Sequence, residues 1–155
     1  MQGQTILSAR LYTVSQKLKG IFRGIITEVH MLDNTDKGKI EKIIHDRKAA
    51  HSFYIASSKV YEAFHSMEQK AFTGGEVTKT EKELIALGIS IVINCESCME
   101  WHLKEALRTG ASERQVIEAI EVCIEMGGGP ATVSARFALK VLEYYRENKP
   151  LINNM

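Results

Sequence analysis

Apolar residues recur every three or four positions through Leu7, Leu11, Val14, Leu18, Ile21, Ile25 and Val29, a period that predicts an amphipathic helix at the start of the chain. Its opposite face, Arg10, Thr13, Lys17, Gly20, Arg23 and Thr27, is polar to basic. Such a start fits an additional helix packed on the core or on a neighbouring subunit, with a membrane-surface helix or a transit segment as the second reading. Asp33, Asn34, Asp36 and Gly38 then read as a linker, which divides the chain into a segment over 1–35 and a domain over 36–155. Met31, at the head of that linker, leaves room for the functional domain to begin there.

The next period runs through Ile40, Ile43, Ile44, Ala50, Tyr54, Tyr61, Phe64 and Met67 to Phe72 and stops at Thr73-Gly74-Gly75, which predicts one long helix or two short ones. His45, His51 and His65 share no face along it and read as surface or half-buried helix residues. Thr78 and Glu81 have the spacing of a capping box, in which side chains satisfy the unpaired amides of a helix start. Leu84, Leu87, Gly88, Ile91 and Val92 mark the apolar side of the helix that follows. The β-branched patch from Ile89 to Ile93 lies inside this helical pattern. Leu103 and Leu107 continue a helical face as far as Thr109-Gly110, where glycine can take the left-handed cap conformation.

Ser112 and Gln115 make a second capping box, and Val116, Ile120, Cys123 and Ile124 form the apolar side of its helix. Gly127-Gly128-Gly129 then interrupts, and Pro130 suits the first turn of a last helix because its missing amide hydrogen would have been unpaired there. The three glycines follow no strand and lack a Lys-Ser or Lys-Thr after them, so they read as a connector and not as a phosphate loop. No period-two run or Asn-Gly turn is present. The predicted fold is all-α, with about six helices and the additional amphipathic one at the N-terminus.

Composition narrows the function classes. A chain of 155 residues with 45% hydrophobic and 25% charged residues suits one globular domain, and a formal charge of +1 offers no field for nucleic acid. No run is long and apolar enough to predict a membrane span. Three cysteines without a secretory signal point to a reducing cytosol, where a C-x-x-C is more often catalytic or metal-binding than structural. Cys123, on an apolar face, reads as core.

The other two thiols lie in INCESCMEWH, Ile93 to His102. Cys95 and Cys98, three apart on a helix, are within reach of a disulfide, and His102 sits one turn past Cys98, placed to take or return a proton. A helix capped by Asn94 would favour negative charge on Cys95 and, less strongly, on Cys98. Glu83 precedes Cys95 by twelve residues, roughly 18 Å along one straight helix. If the chain instead folds back around residues 91–95, Glu83 and His102 become neighbours, and a carboxylate, an imidazole and a thiol form a proton relay. Zinc held by Cys95, Cys98 and His102 is the rival reading; it lacks a fourth ligand nearby, Cys123 being the remaining thiol. Covalent haem attachment is excluded because Met99, not histidine, follows the second cysteine. Trp101 reads as a wall of the pocket or as a subunit contact.

The stretch KELIALGISIVINCESCMEWH, Lys82 to His102, with the Leu-Arg-Thr-Gly-Ala-Ser turn after it, resembles the carboxymuconolactone decarboxylase superfamily, and within it the alkyl hydroperoxidase AhpD-like branch. That branch shares Glu, eleven residues, Cys, two residues, Cys, three residues, His, which falls here on Glu83, Cys95, Cys98 and His102 without a gap. The likeness extends from about Tyr54 to Tyr145. It implies the all-helical AhpD-like fold, assembled as trimers or hexamers, and thiol peroxidase or disulfide reductase chemistry with no metal or organic cofactor. It further implies that Cys98 attacks the peroxide to give a sulfenic acid, that Cys95 resolves it as a disulfide, and that Glu83 and His102 carry the proton. The partners implied are a hydroperoxide or disulfide substrate and a thiol electron donor. The best-studied members carry a second histidine where this chain has Ser97, and Glu96 adds a negative charge inside the pair that opposes thiolate formation. A disulfide substrate is therefore an alternative to a peroxide. The lactone-decarboxylase branch needs no cysteine pair and matches less well.

Overall fold

Helix starts are set by side chains that accept orphan backbone amides, and the chain contains such a residue before each of the helices described. The computed structural model describes residues 30–149; the helix expected from Leu7 to Val29 lies outside them. From Leu32 onward the chain forms one unit. Its helices are α1, Asn34–Ser57; α2, Lys59–Ala71; α3, Lys79–Val92; α4, Glu96–Arg108; and α5, Glu113–Glu147. No strand occurs among the described residues. Gly128 interrupts α5 with φ 60° and ψ −146°, a backbone region open almost solely to glycine, so α5 is two helical segments meeting at a kink. The described chain is thus all-helical, as expected, and the Gly-Gly-Gly-Pro break falls where the sequence placed it.

Both expected capping boxes form, Thr78 with Glu81 and Ser112 with Gln115. A third was misread as a linker. The Asp33 carboxylate accepts the Asp36 amide at 2.7 Å, and the Asp36 carboxylate accepts the Asp33 amide at 3.3 Å, which starts α1 with Asn34, Asp36 and Gly38 all inside it. Asx residues favour caps for the same reason that they favour loops: short side chains reach the backbone. Asp36 is also held by Lys140 Nζ at 2.7 Å, a bond that lowers the carboxyl pKa and ties α1 to α5.

The break between α1 and α2 is one residue, Ser58. Its amide donates to Tyr54 to close α1, and its hydroxyl accepts from Tyr61 to open α2. The period noted in the sequence holds here, but α2 contributes no buried residue, and Tyr54, Phe64 and Met67 are exposed. These aromatic rings pack on one another instead, Tyr54 stacking on Tyr61 at 5.1 Å.

The core belongs to α3, α4 and α5. Leu87 and Ile91 from α3, Met99 and Leu103 from α4, and Val116, Ile120, Ala138 and Val141 from α5 are buried together, and Ile40 of α1 joins them. Burying each large aliphatic side chain contributes about 1.5–3 kcal/mol, so this interface fixes how α3 and α4 pair. Gly110, at φ 107°, lets the chain leave α4 through the expected left-handed cap. Thr80 then binds the Thr109 carbonyl at 2.8 Å, which joins the start of α3 to the end of α4 as an antiparallel hairpin. No described helix is long and apolar enough to cross a membrane.

Candidate functional site

The tip of the α3–α4 hairpin carries the cysteines. Ile93 ends α3, Asn94 turns the chain with φ 55°, and the Cys95 amide reaches back to the Ser90 carbonyl at 2.9 Å. Asparagine tolerates this left-handed conformation better than most residues, which is what permits a tight turn after three β-branched residues. Asn94 is therefore the turning residue and not the cap expected from the sequence. Cys95 caps α4 itself: its sulfur accepts the Cys98 amide at 3.4 Å.

Cys95 and Cys98 are joined as a disulfide, their Cα atoms 5.3 Å apart. Both residues are half-buried, and Glu96 and Ser97 lie between them in the first turn of α4. The free amides and positive dipole end of that turn favour negative charge on either sulfur once the bond is opened.

The hairpin brings Glu83 to His102, as the fold-back reading required. His102 Nδ1 lies 2.8 Å from Glu83 Oε2, with Glu83 only 2% exposed. A carboxylate can only accept, so Nδ1 carries the hydrogen and Nε2 is left as the basic nitrogen. Phe72, at the end of α2, stacks on the His102 ring at 5.2 Å and 20°. Lys82 holds that end in place by donating to the Ala71 and Thr73 carbonyls at 2.8 and 2.7 Å. A recess of about 350 Å³ reaches Glu83 between His65, Glu68, Phe72 and Lys79, with Trp101 as one wall. Of the three histidines set aside in the sequence, His45 is exposed, whereas His51 and His65 meet edge to face at 4.9 Å across α1 and α2.

Cys123 stands apart. It is 6% exposed, its thiol donates to the Ala119 carbonyl at 2.9 Å, and burial raises its pKa. It is a core residue, as expected. Beside it α3 and α5 leave an apolar trough of about 590 Å³ lined by Ile85, Ile89, Val92, Ile93, Val122 and Met126.

Sequence reasoning missed the contribution of α1. Lys39 Nζ lies 2.6 Å from Glu96 Oε1. Arg47 pairs with Glu100, which is fully buried and also accepts from the Tyr145 hydroxyl, and the guanidinium rests on the Trp101 ring at 4.9 Å. The one local clue was Glu100 itself, an acid on the core side of α4 between Met99 and Leu103, since a buried charge requires a partner.

The profile of the carboxymuconolactone decarboxylase family matches residues 58–141. An uncharacterized protein encoded in the cox locus of Paracoccus denitrificans is 39% identical over 88 residues, which cover 57% of this chain and 79% of that one. An uncharacterized protein of Cupriavidus necator is 34% identical over 90 residues, covering 58% of this chain and 77% of the other. Among solved structures, a carboxymuconolactone decarboxylase family protein of Thermotoga maritima, described as a possible participant in the antioxidative response, superposes with a TM-score of 0.65 at 25% identity, covering 70% of this chain and 93% of that one. A family member from Legionella pneumophila superposes with a TM-score of 0.63 at 24% identity, covering 68% and 96%, and shares the fold.

Proposed function

The chain belongs to the carboxymuconolactone decarboxylase family, and on that premise we propose that it is a thiol-dependent oxidoreductase that reduces hydroperoxides through Cys95 and Cys98. The observation that carries this reading is the 2.8 Å bond between His102 and a buried Glu83, one turn of α4 beyond the cysteine pair. In the reduced protein Nε2 of His102 takes the Cys98 proton, and Glu83 stabilises the imidazolium that results. The Cys98 thiolate attacks the terminal oxygen of a hydroperoxide; the O–O bond breaks, sulfur is oxidised to a sulfenic acid, and the leaving alkoxide takes the proton back to become an alcohol. Cys95 then attacks the sulfenic sulfur, forming the disulfide and releasing water. A dithiol donor returns two electrons and two protons by exchange, and itself leaves as a disulfide.

The disulfide joining Cys95 and Cys98 supports the last intermediate of this cycle, and no metal or organic cofactor is required by it. Zinc bound by Cys95, Cys98 and His102 would compete for the same two sulfurs, and would leave only Nε2 on a ring whose Nδ1 faces Glu83. A reducing compartment, the cytosol, suits a pair that must be re-reduced. Copies of the chain assemble through the apolar trough between α3 and α5, which carries no charged residue in its lining. Glu96, inside the pair, and Ser97 favour a second reading in which the oxidant is a small-molecule or protein disulfide rather than a peroxide.

The test is a thiol count before and after one equivalent of hydrogen peroxide. Two thiols disappear together while Cys123 remains, and Cys95→Ser traps a sulfenic acid on Cys98. Retention of all three thiols, or stoichiometric zinc released on oxidation, refutes the proposal.

A further inference from the structure

The C-x-x-C carries one acid between its cysteines, Glu96, and another one turn on, Glu100, and both are met by bases from a single helix. Lys39 of α1 holds Glu96 at 2.6 Å, and its ammonium also stands 5.1 Å over the Phe137 ring of α5. Arg47, two turns further along α1, pairs with Glu100 and donates from Nη1 to the Ser97 carbonyl at 3.4 Å, within the C-x-x-C itself. The other titratable groups around the pair are already engaged: Glu83 with His102, and Tyr145 with Glu100.

A carboxylate between two cysteines disfavours a thiolate on either, and a cation held against it offsets that effect. We infer that Lys39 is a positioning residue of the redox pair: by fixing and neutralising Glu96, it sets how readily the Cys95–Cys98 disulfide is reduced. This rests on the redox reading above. It also accounts for how the pair operates with an acid in its first turn, and it gives α1 a part in the chemistry although no α1 residue belongs to the Glu-Cys-Cys-His pattern.

The reaction to follow is the exchange of the protein disulfide with two glutathione thiols, giving the protein dithiol and glutathione disulfide. Lys39→Met leaves Glu96 uncompensated, and it shifts this equilibrium about threefold toward the protein disulfide while slowing iodoacetamide alkylation of the reduced pair at neutral pH by about the same factor. Glu96→Gln moves both quantities the other way. The double variant returns to within about twofold of the parent, and Lys39→Arg preserves the parent values.

The opposite signs separate this role from a structural one, because a salt bridge that merely stabilises the fold is lost equally from either side. Single variants that shift the equilibrium in the same direction, or not at all, in a protein whose parent exchanges normally, overturn the inference alone. A parent whose pair does not exchange with glutathione overturns the redox reading, and this inference with it.

Discussion

Glu83 and His102, nineteen residues apart in the chain, are joined at 2.8 Å because α3 and α4 turn back on one another at Asn94. Glu83→Gln keeps an acceptor for the Nδ1 hydrogen but removes the negative charge that stabilises an imidazolium. Peroxide turnover is expected to fall about a hundredfold with little change in thermal unfolding. Steady-state kinetics alongside a melting curve check this, and unchanged turnover removes Glu83 from the relay.

Gly128 occupies a backbone region nearly closed to residues with a Cβ. Gly128→Ala is expected to destabilise the protein by about 1–3 kcal/mol through backbone strain, since no neighbouring atom crowds the added methyl group. Urea unfolding measures it. The same substitution at Gly38, inside α1 with open space around it, serves as the control and is expected to stabilise slightly.

Stability is expected to fall in acid partly through Glu105. Burial of its carboxyl disfavours the charge, but Arg108, which donates from Nε and Nη2 at 3.0 and 2.7 Å, together with Lys104 and Lys79, outweighs that and holds the pKa below the usual carboxylate range. The unfolded chain therefore binds this proton first as pH drops. The contribution is complete above the ordinary carboxylate pKa and disappears as pH falls toward the folded value. Denaturant unfolding between about pH 3 and pH 7 should show a flatter acid slope in Glu105→Gln than in the parent.

Ile89, 56% exposed in a trough of like residues, tests assembly. Sedimentation of the parent is expected to give a species larger than one chain, and Ile89→Glu is expected to reduce it to a monomer, because a charge buried in an apolar contact has no partner. A monomeric parent refutes self-association through this face.

The Glu83–His102 contact was legible in the sequence because it depends on local rules. A capping box marked where α3 starts, and a chain that folds back within residues 91–95 pairs Glu83 with His102 because 83 and 102 lie at equal separations from the middle of that turn. The turn itself fell at Asn94, whose left-handed conformation no hydrophobic period reports. Lys39 and Arg47 were illegible for a different reason. They act from 57 and 50 residues away, through ion pairs and a carbonyl contact that leave no trace in spacing. Asp33 and Asp36 misled because the same side-chain reach that makes a loop also makes a cap. Tyr54, Phe64 and Met67 kept a helical period without a core to receive it among the described residues, since periodicity records which residues share a side and not what lies opposite.

Cys95 does two things at once: its sulfur forms the cross-link and also accepts the amide that opens α4. In the proposed cycle each round therefore rewrites the electron density at a hydrogen-bond acceptor of the backbone, from a bonded sulfur to a thiol or an anion. Amide exchange at Cys98 becomes a natural clock for the oxidation state, slowest when the acceptor is an anion. Cross-linking and helix initiation in this chain share a single atom.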